Sequence, residues 1–177
     1  MSKTQQPPIT AQFKIKRKAL LYDIENYSFL LGNVMPEDAQ PAKHQLMDVA
    51  QEGNIDVVSR MLDLAYSECQ NILYPHVKDP ITTDKDFGDD FLTDDVEAKE
   101  YIFALQLPAE VSSTTIIYLK KLIHEYMVCK AMVAWLTVNN VTARVDWEVR
   151  LEDVTSKIRS NLTFRCKRVR RALHPFG

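Results

Sequence analysis

Glycine is scarce in this sequence of 177 residues, which contains only Gly32, Gly53, Gly88 and Gly177. The phosphate-binding loops of dinucleotide-binding and P-loop proteins need several glycines within a few residues of one another. The four glycines here are all far apart along the chain. The sequence therefore excludes both kinds of glycine-rich nucleotide site.

Cysteine is also rare, and Cys69, Cys129 and Cys166 show no C-x-x-C spacing. An odd number of widely separated cysteines indicates reduced thiols in a cytoplasmic setting. The N-terminus has no apolar core of signal-peptide length. The longest apolar run, 127–138, is too short to cross about 30 Å of hydrocarbon. We therefore expect a soluble intracellular protein without membrane contact.

The net charge of −2 is small, so no overall field attracts the chain to nucleic acid. Cations are nevertheless concentrated at the C-terminus, where no acidic residue follows Asp153. They are Lys157, Arg159, Arg165, Lys167, Arg168, Arg170 and Arg171. A helix dipole favours some cations at a helix end, but seven exceed what it explains. Two interpretations stay open, a solvated helix end and a segment that binds nucleic acid or an acidic partner.

The spacing of apolar residues predicts a mainly α-helical protein, a helical bundle of about five helices. Residues 12–24 allow either a short strand or the start of a first helix, which ends near Met35. A second helix is predicted over 41–52. Asn54 is a suitable N-cap for a third helix that ends near Tyr74. The apolar stripe of this third helix is Val58, Met61, Leu62, Ala65, Cys69, Ile72 and Leu73.

An acidic loop is predicted over 77–98. One or two short strands are predicted in the connection between this region and the fourth helix. The strand at 101–107 has an alternating apolar face of Tyr101, Phe103, Leu105 and Leu107. The fourth helix is predicted over 113–138 and the fifth over 143–173. The apolar stripe of the fifth helix includes Trp147, Leu151, Val154, Ile158 and Leu162.

These elements predict three parts of the chain. Residues 1–18 are expected to form a flexible N-terminal arm. Residues 19–163 are expected to form the helical domain, including the acidic loop. Residues 164–177 are expected to form a basic docking tail, with Arg165, Lys167, Arg168, Arg170 and Arg171 as its cations and Phe176 as an apolar anchor.

The fourth predicted helix contains the segment LIHEYMVCKAMVAWL, which begins like a zinc-protease motif. The H-E-x-x-H motif needs a second histidine four residues after His124, and that position is Val128. We therefore expect no metal site there. The rest of the helix is apolar nearly all round, so it must lie at the bundle centre or in a subunit interface. Met127, Met132 and Trp135 are the candidates for self-association.

The acidic loop partly fits a calcium-binding EF-hand, because Asp84, Asp86, Asp90 and Asp95 fall at ligand positions. Gly88 lies one place too early for the turn, which favours a solvated loop and leaves a weak cation site open. The serines lack the G-x-S-x-G pattern of a nucleophile elbow. We expect no catalytic, cofactor-binding or metal-binding residue, and no enzyme.

Four segments together resemble a known family: LLYDIENYSFLLGNVM, KHQLMDVAQEGNIDVVSRMLDLAYSECQNILYP, SSTTIIYLKKLIHEYMVCKAMVAWLTVNN and RVRRALHPF. They are similar to the head–tail connector, or neck adaptor, proteins of tailed phages and prophages of gut bacteria. The resemblance implies a structural virion protein, a small helical subunit that forms a closed ring of about twelve copies beneath the portal. Packaged DNA would pass through the ring, and a terminal segment would dock on the portal or a tail protein. The alternative is a small regulatory or nucleic-acid-binding protein that uses its basic C-terminal helix.

Overall fold

The computed structural model describes residues 9–36, 40–74, 76–77, 100–108 and 111–163. In chain order the elements are β1 (Ile9–Lys16), α1 (Arg17–Val34), α2 (Gln40–Met47), α3 (Glu52–Ile72), β2 (Glu100–Leu107), α4 (Ser113–Asn139) and α5 (Val141–Leu162). A short 3-10 helix, Asp48–Ala50, joins α2 to α3. The prediction of a mainly helical bundle of about five helices, with a strand before the fourth helix, is confirmed.

The two strands form one antiparallel sheet in which Phe13 lies opposite Phe103 and Ile15 opposite Tyr101. The predicted alternating face of β2 is confirmed, since its buried residues are Tyr101, Phe103, Leu105 and Leu107. Phe103 also makes an edge-to-face contact with Tyr66 of α3, with 4.8 Å between the ring centroids. The buried face of the sheet is therefore part of the main core.

The N-terminal boundary differs from the expected flexible arm over 1–18. Residues 9–16 form β1, and Arg17 is the first residue of α1. In β1 the buried Phe13 and Ile15 alternate with the exposed Lys14 and Lys16, which is the period of a half-buried strand. The folded part therefore includes residues 9–18, while residues 1–8 lie outside the described residues.

The start of α3 also differs from the prediction. Gln51 is the N-cap, and Asn54 lies inside the first turn, where its Nδ2 donates to the backbone oxygen of Asp48 at 2.8 Å. Asn54 thus fixes the preceding turn rather than capping the helix. The predicted apolar stripe is correct: Val58, Leu62, Ala65, Cys69 and Leu73 are buried, and Met61 and Ile72 are partly buried.

Helix α4 lies at the centre of the bundle and packs against α1, α2, α3 and α5. Ser112 caps it, because its hydroxyl accepts from the backbone N–H of Thr115 at 3.2 Å. Its buried residues are Leu119, Leu122, Ile123, Tyr126, Met127, Val128, Cys129, Ala131, Met132, Trp135 and Leu136. The all-round apolar pattern of this helix is thus explained by its central position.

Helix α5 turns back along α4 after Asn140, whose side chain accepts from the backbone N–H of Ala143 at 3.0 Å. Trp147, Val154 and Ile158 are buried, as the predicted stripe requires. The expected extension of this helix to residue 173 falls outside the described residues beyond Thr163. The docking tail at 164–177 and nearly all of the acidic loop at 77–98 lie outside them too.

The position of β2 in the core generates a stability prediction. Phe103→Ala should lower the free energy of unfolding by about 3–5 kcal/mol, because it leaves a cavity where a fully buried ring contacts Tyr66. Ile102 lies on the same strand but faces outward and is 41% exposed. Ile102→Ala is therefore a matched control, with an expected loss below about 1 kcal/mol. Equal losses in urea denaturation would contradict the packing described here.

Candidate interaction surfaces

His124, the first residue of the broken zinc motif, joins two helices. Its Nε2 lies 2.6 Å from Oδ2 of Asp23, which places an α4 side chain against α1. Val128, at the position of the missing second histidine, is buried. Within the described residues there is no group of three or more His, Cys, Asp or Glu side chains that could hold a metal ion. His124 is therefore a polar contact between helices in this structure.

A second polar cluster ties α1, α4 and α5 together around Arg150. Its Nη2 forms an ion pair with Oε1 of Glu125 and donates to the hydroxyl of Tyr27 at 3.0 Å. The guanidinium carbon lies 5.0 Å from the ring centroid of Tyr27 and 4.8 Å from that of Trp147. The thiol of Cys129 donates to the same Glu125 oxygen at 3.6 Å. The polar groups of this cluster are thus paired with one another, and the cluster fixes the relative positions of the three helices.

A third cluster holds the sheet on the bundle. Nη2 of Arg17 lies 3.2 Å from both carboxylate oxygens of Asp63, and the hydroxyl of Tyr101 donates to Oδ1 of Asp63 at 2.6 Å. Burial, together with the hydrogen bond and charge of Asp63, raises the pKa of Tyr101 above its usual value. Tyr101 therefore stays protonated as the donor. This network connects α1, α3 and β2.

Glu68 links α3 to α4 and lies beside an open groove. Its Oε2 accepts from Nζ of Lys130 at 2.7 Å and from the hydroxyl of Tyr126 at 3.3 Å. The groove has a volume of about 550 Å³ and is lined by Ile72, Tyr126, Leu151, Glu152, Thr155, Ser156 and Arg159. Burial is the main cause of the raised pKa of Tyr126, which keeps its phenol protonated. The phenol is thus a hydrogen-bond donor at neutral pH and not a base.

The two described cysteines are buried free thiols. Burial raises the pKa of Cys69 to about 12, and burial with the nearby charge of Glu125 raises the pKa of Cys129 to about 12. The thiolate is the reactive form of cysteine, and almost none exists at neutral pH with such values. Both thiols act as small core side chains. Cys166 lies outside the described residues.

The three predicted self-association residues do not lie on the surface. Met127 and Met132 are fully buried, and Trp135 is only 7% exposed. Nε1 of Trp135 donates to the backbone oxygen of Leu46 at 3.2 Å, and the hydroxyl of Ser28 lies 3.9 Å from the sulfur of Met132. This placement corrects the expectation, because partners within the chain already cover the apolar side of α4. These residues present no surface to a second copy.

A different apolar surface lies on the outer side of α5. Val141, Val145 and Val149 recur every four residues and are 63%, 56% and 63% exposed. They point away from the bundle, since Trp147 and Val154 occupy the buried side of the same helix. Val138, near the end of α4 and three residues before Val141 in the sequence, is 82% exposed. We call these four residues the valine face.

Helix α1 carries a second outward apolar surface. Tyr22, Phe29, Leu30 and Val34 are 63%, 55%, 58% and 84% exposed, and we call them the aromatic face. The opposite side of α1 packs in the bundle through Leu20, Ile24, Ser28 and Gly32. The other exposed large apolar residues are Val57, Leu64, Tyr74, Ile102, Ile117 and Tyr118. None of these six forms a run over successive turns of one helix.

Neither face is predicted from the sequence. The Trp147 stripe correctly predicts the buried side of α5, but the valines at 141, 145 and 149 are not predicted to form a surface. Their four-residue spacing was a usable signal, because α5 has an apolar residue on nearly every side of its first three turns. Exposure could be known only once the packing of the bundle was known.

The predicted docking residues Arg165, Lys167, Arg168, Arg170, Arg171 and Phe176 lie outside the described residues. Two cations of the same run are described at the end of α5, Lys157 and Arg159, and both are exposed. Nζ of Lys157 pairs with Oδ2 of Asp153 one turn earlier. The described cations are thus on the surface of the helix end that leads into the predicted tail.

Comparison with protein families, curated proteins and solved structures found no match for this chain. None of the described helices combines the length and the apolar character needed to cross a membrane.

The buried thiols generate a prediction on pH. Both stay protonated in the folded state up to about pH 12 but ionise near pH 9 in the unfolded chain. Below pH 9 the two thiols are protonated in both states and do not change the free energy of unfolding. Above pH 9 they ionise only in the unfolded chain, so the free energy of unfolding should fall. The slope approaches about 1.4 kcal/mol per pH unit for each thiol.

Urea denaturation between pH 8 and pH 10.5 measures this slope. The matched control is a Cys69→Ala/Cys129→Ala variant, which should be less stable at pH 8 but should lose stability less steeply as the pH rises. Identical slopes for the two proteins would show that the thiols are not held protonated by the fold.

Proposed function

We propose that this protein is a structural subunit of a head–tail connector, which assembles into a ring beneath the portal and links capsid to tail around the DNA channel. Its place would be the neck of a virion assembled in the cytoplasm of a bacterial host. The proposal rests on the resemblance of four sequence segments to connector proteins and on the surfaces of α1 and α5.

The observation that carries the proposal is the pair of outward apolar faces. Runs of exposed apolar side chains on a small soluble domain are typical of surfaces that other proteins cover. Here two such faces lie on different helices. Two different surfaces that fit one another produce a head-to-tail contact, and such a contact closes into a ring when the rotation between subunits allows it. Rings of this kind are what the resemblance implies.

The basic tail has a separate role in this proposal. Arg165, Lys167, Arg168, Arg170 and Arg171 would meet an acidic rim on the portal protein or on a tail protein, with Phe176 filling an apolar pocket. Lys157 and Arg159 would extend the same basic surface onto the end of α5. An aromatic anchor favours a protein partner, because binding to phosphates does not need one.

The first prediction of this proposal concerns assembly. The purified protein should form a ring, which native mass spectrometry would count and electron microscopy would show with an open centre. The resemblance implies about twelve copies with closed rotational symmetry. A monodisperse monomer at every attainable concentration would contradict the proposal. Sequence-selective binding of duplex DNA at physiological salt would favour the regulatory alternative.

The second prediction concerns the tail. Phe176→Ala should weaken binding to the portal protein by about 1–3 kcal/mol, the usual scale for a buried aromatic anchor. Tyr118→Ala replaces an exposed aromatic residue of α4 that lies outside the docking tail and outside both apolar faces, so it should leave portal binding unchanged. Interferometry with immobilised portal protein measures both variants. Equal effects of the two substitutions would contradict a docking role for the tail.

A further inference from the structure

We propose that a second copy of this chain covers the valine face, with α5 of one subunit docked antiparallel on the aromatic face of α1 in the next. Glu152 of the first subunit would then lie opposite Lys18 of the second. This inference rests on the proposed self-association and adds which surfaces meet, and in which direction.

On each helix an outward line of equal length begins at a charged residue and ends at an apolar one. On α5 the run is Val141, Val145 and Val149, and Glu152 follows on the same line of the helix. On α1, Lys18 precedes Tyr22 by one turn, and Phe29 follows two turns later, with Glu25 and Asn26 exposed on the turn between them. Each line extends over eleven residue steps from the charged end to the apolar end, or about 16 Å at a rise of 1.5 Å per residue. The two lines can therefore be laid side by side along their full length.

The charged ends decide the direction. Lys18 and Glu152 are both exposed, and neither has an ion-pair partner among the described residues. Antiparallel docking brings them together and sets Phe29 against Val141. Parallel docking would press Lys18 against Val141 and Glu152 against Phe29, which removes charge from water without a partner. Complementary charge thus favours the antiparallel arrangement and sets its register.

Two further apolar residues near these helix ends are highly exposed. Val34 is 84% exposed and Val138 is 82% exposed. At 100° per residue Val34 lies about 140° around α1 from Phe29, and Val138 belongs to α4, so neither valine is part of the two aligned lines.

The flanking charges are compatible with this contact. At 100° per residue, antiparallel docking places Glu25 of α1 on the flank that carries Arg144 of α5, and on the opposite flank from Asp146. Glu148, the i,i+4 partner of Arg144, lies on the same flank, so Arg144 is the base beside two acids, Glu25 and Glu148. Asp153 is already paired with Lys157.

The test uses two blocked variants, Phe29→Glu/Leu30→Glu on α1 and Val145→Glu/Val149→Glu on α5. Each should fold as the wild type does, because all four positions are more than half exposed. Each alone should lose assembly, with an apparent dissociation constant at least about tenfold higher. A 1:1 mixture should form heterodimers and nothing larger, because each variant retains one intact face that fits the other. Native mass spectrometry resolves these species.

The controls separate failure of this inference from failure of the proposed function. Leu64→Glu changes a residue on α3 that is 59% exposed and outside both faces, and it should assemble as the wild type does. A wild-type protein that never self-associates would overturn the proposed function and this inference together. A wild-type ring that survives either blocked variant, or an α1-blocked variant that still dimerises with itself, would overturn only the inference.

Exchange of the two charges tests the direction of docking. Lys18→Glu and Glu152→Lys should each weaken assembly about two- to fivefold, the scale of an exposed ion pair. A chain with both substitutions should recover, because every contact again pairs opposite charges. If the double variant shows no recovery, so that its loss of assembly affinity equals the product of the two single fold-changes, the antiparallel register is contradicted.

Discussion

The burial of α4 on all sides is the constraint on which the rest of the structure depends. A helix that is apolar nearly all round must be covered on every side, and α1, α2, α3 and α5 together do this. The polar clusters lie around this helix, where Glu125, Tyr126 and Lys130 of α4 reach side chains on its neighbours. Apolar packing thus supplies the cohesion, and these charged contacts fix which helix lies next to which.

The same burial determines where another protein can bind. Because Met127, Met132 and Trp135 are used inside the chain, any assembly must use the outer sides of the surrounding helices. The valine face and the aromatic face are such surfaces. In the proposed contact, Lys18 beside one face and Glu152 beside the other would pair when the two helices run antiparallel. A ring held by these faces would leave the exposed end of α5, and the basic tail that follows it, for the portal or a tail protein. That division of surfaces is the functional proposal in structural terms.

Local patterns were sufficient to predict the elements but not their surroundings. The alternation in β2 and the four-residue spacing in α3 identified the buried side of each element correctly. β1 cannot be distinguished from the start of a helix by its local sequence, because the strand with which it pairs, β2, is distant along the chain. The apolar pattern of α4 is compatible with two positions, the bundle centre and a subunit interface, and only the packing of the folded chain distinguishes between them. The exposed valines of α5 were missed for the same reason, since a pattern shows that a face is apolar but not whether it is covered.

Cross-linking of the two faces tests the central claim most directly. In a Cys166→Ser background, one protein would carry Phe29→Cys and a second would carry Val141→Cys, and the two would be mixed and gently oxidised. A disulfide forms readily only where the two Cα atoms approach within about 7 Å. The account predicts that mass spectrometry finds mixed disulfides between positions 29 and 141 far above their statistical share. Homodisulfides at either position in equal or greater yield would contradict it.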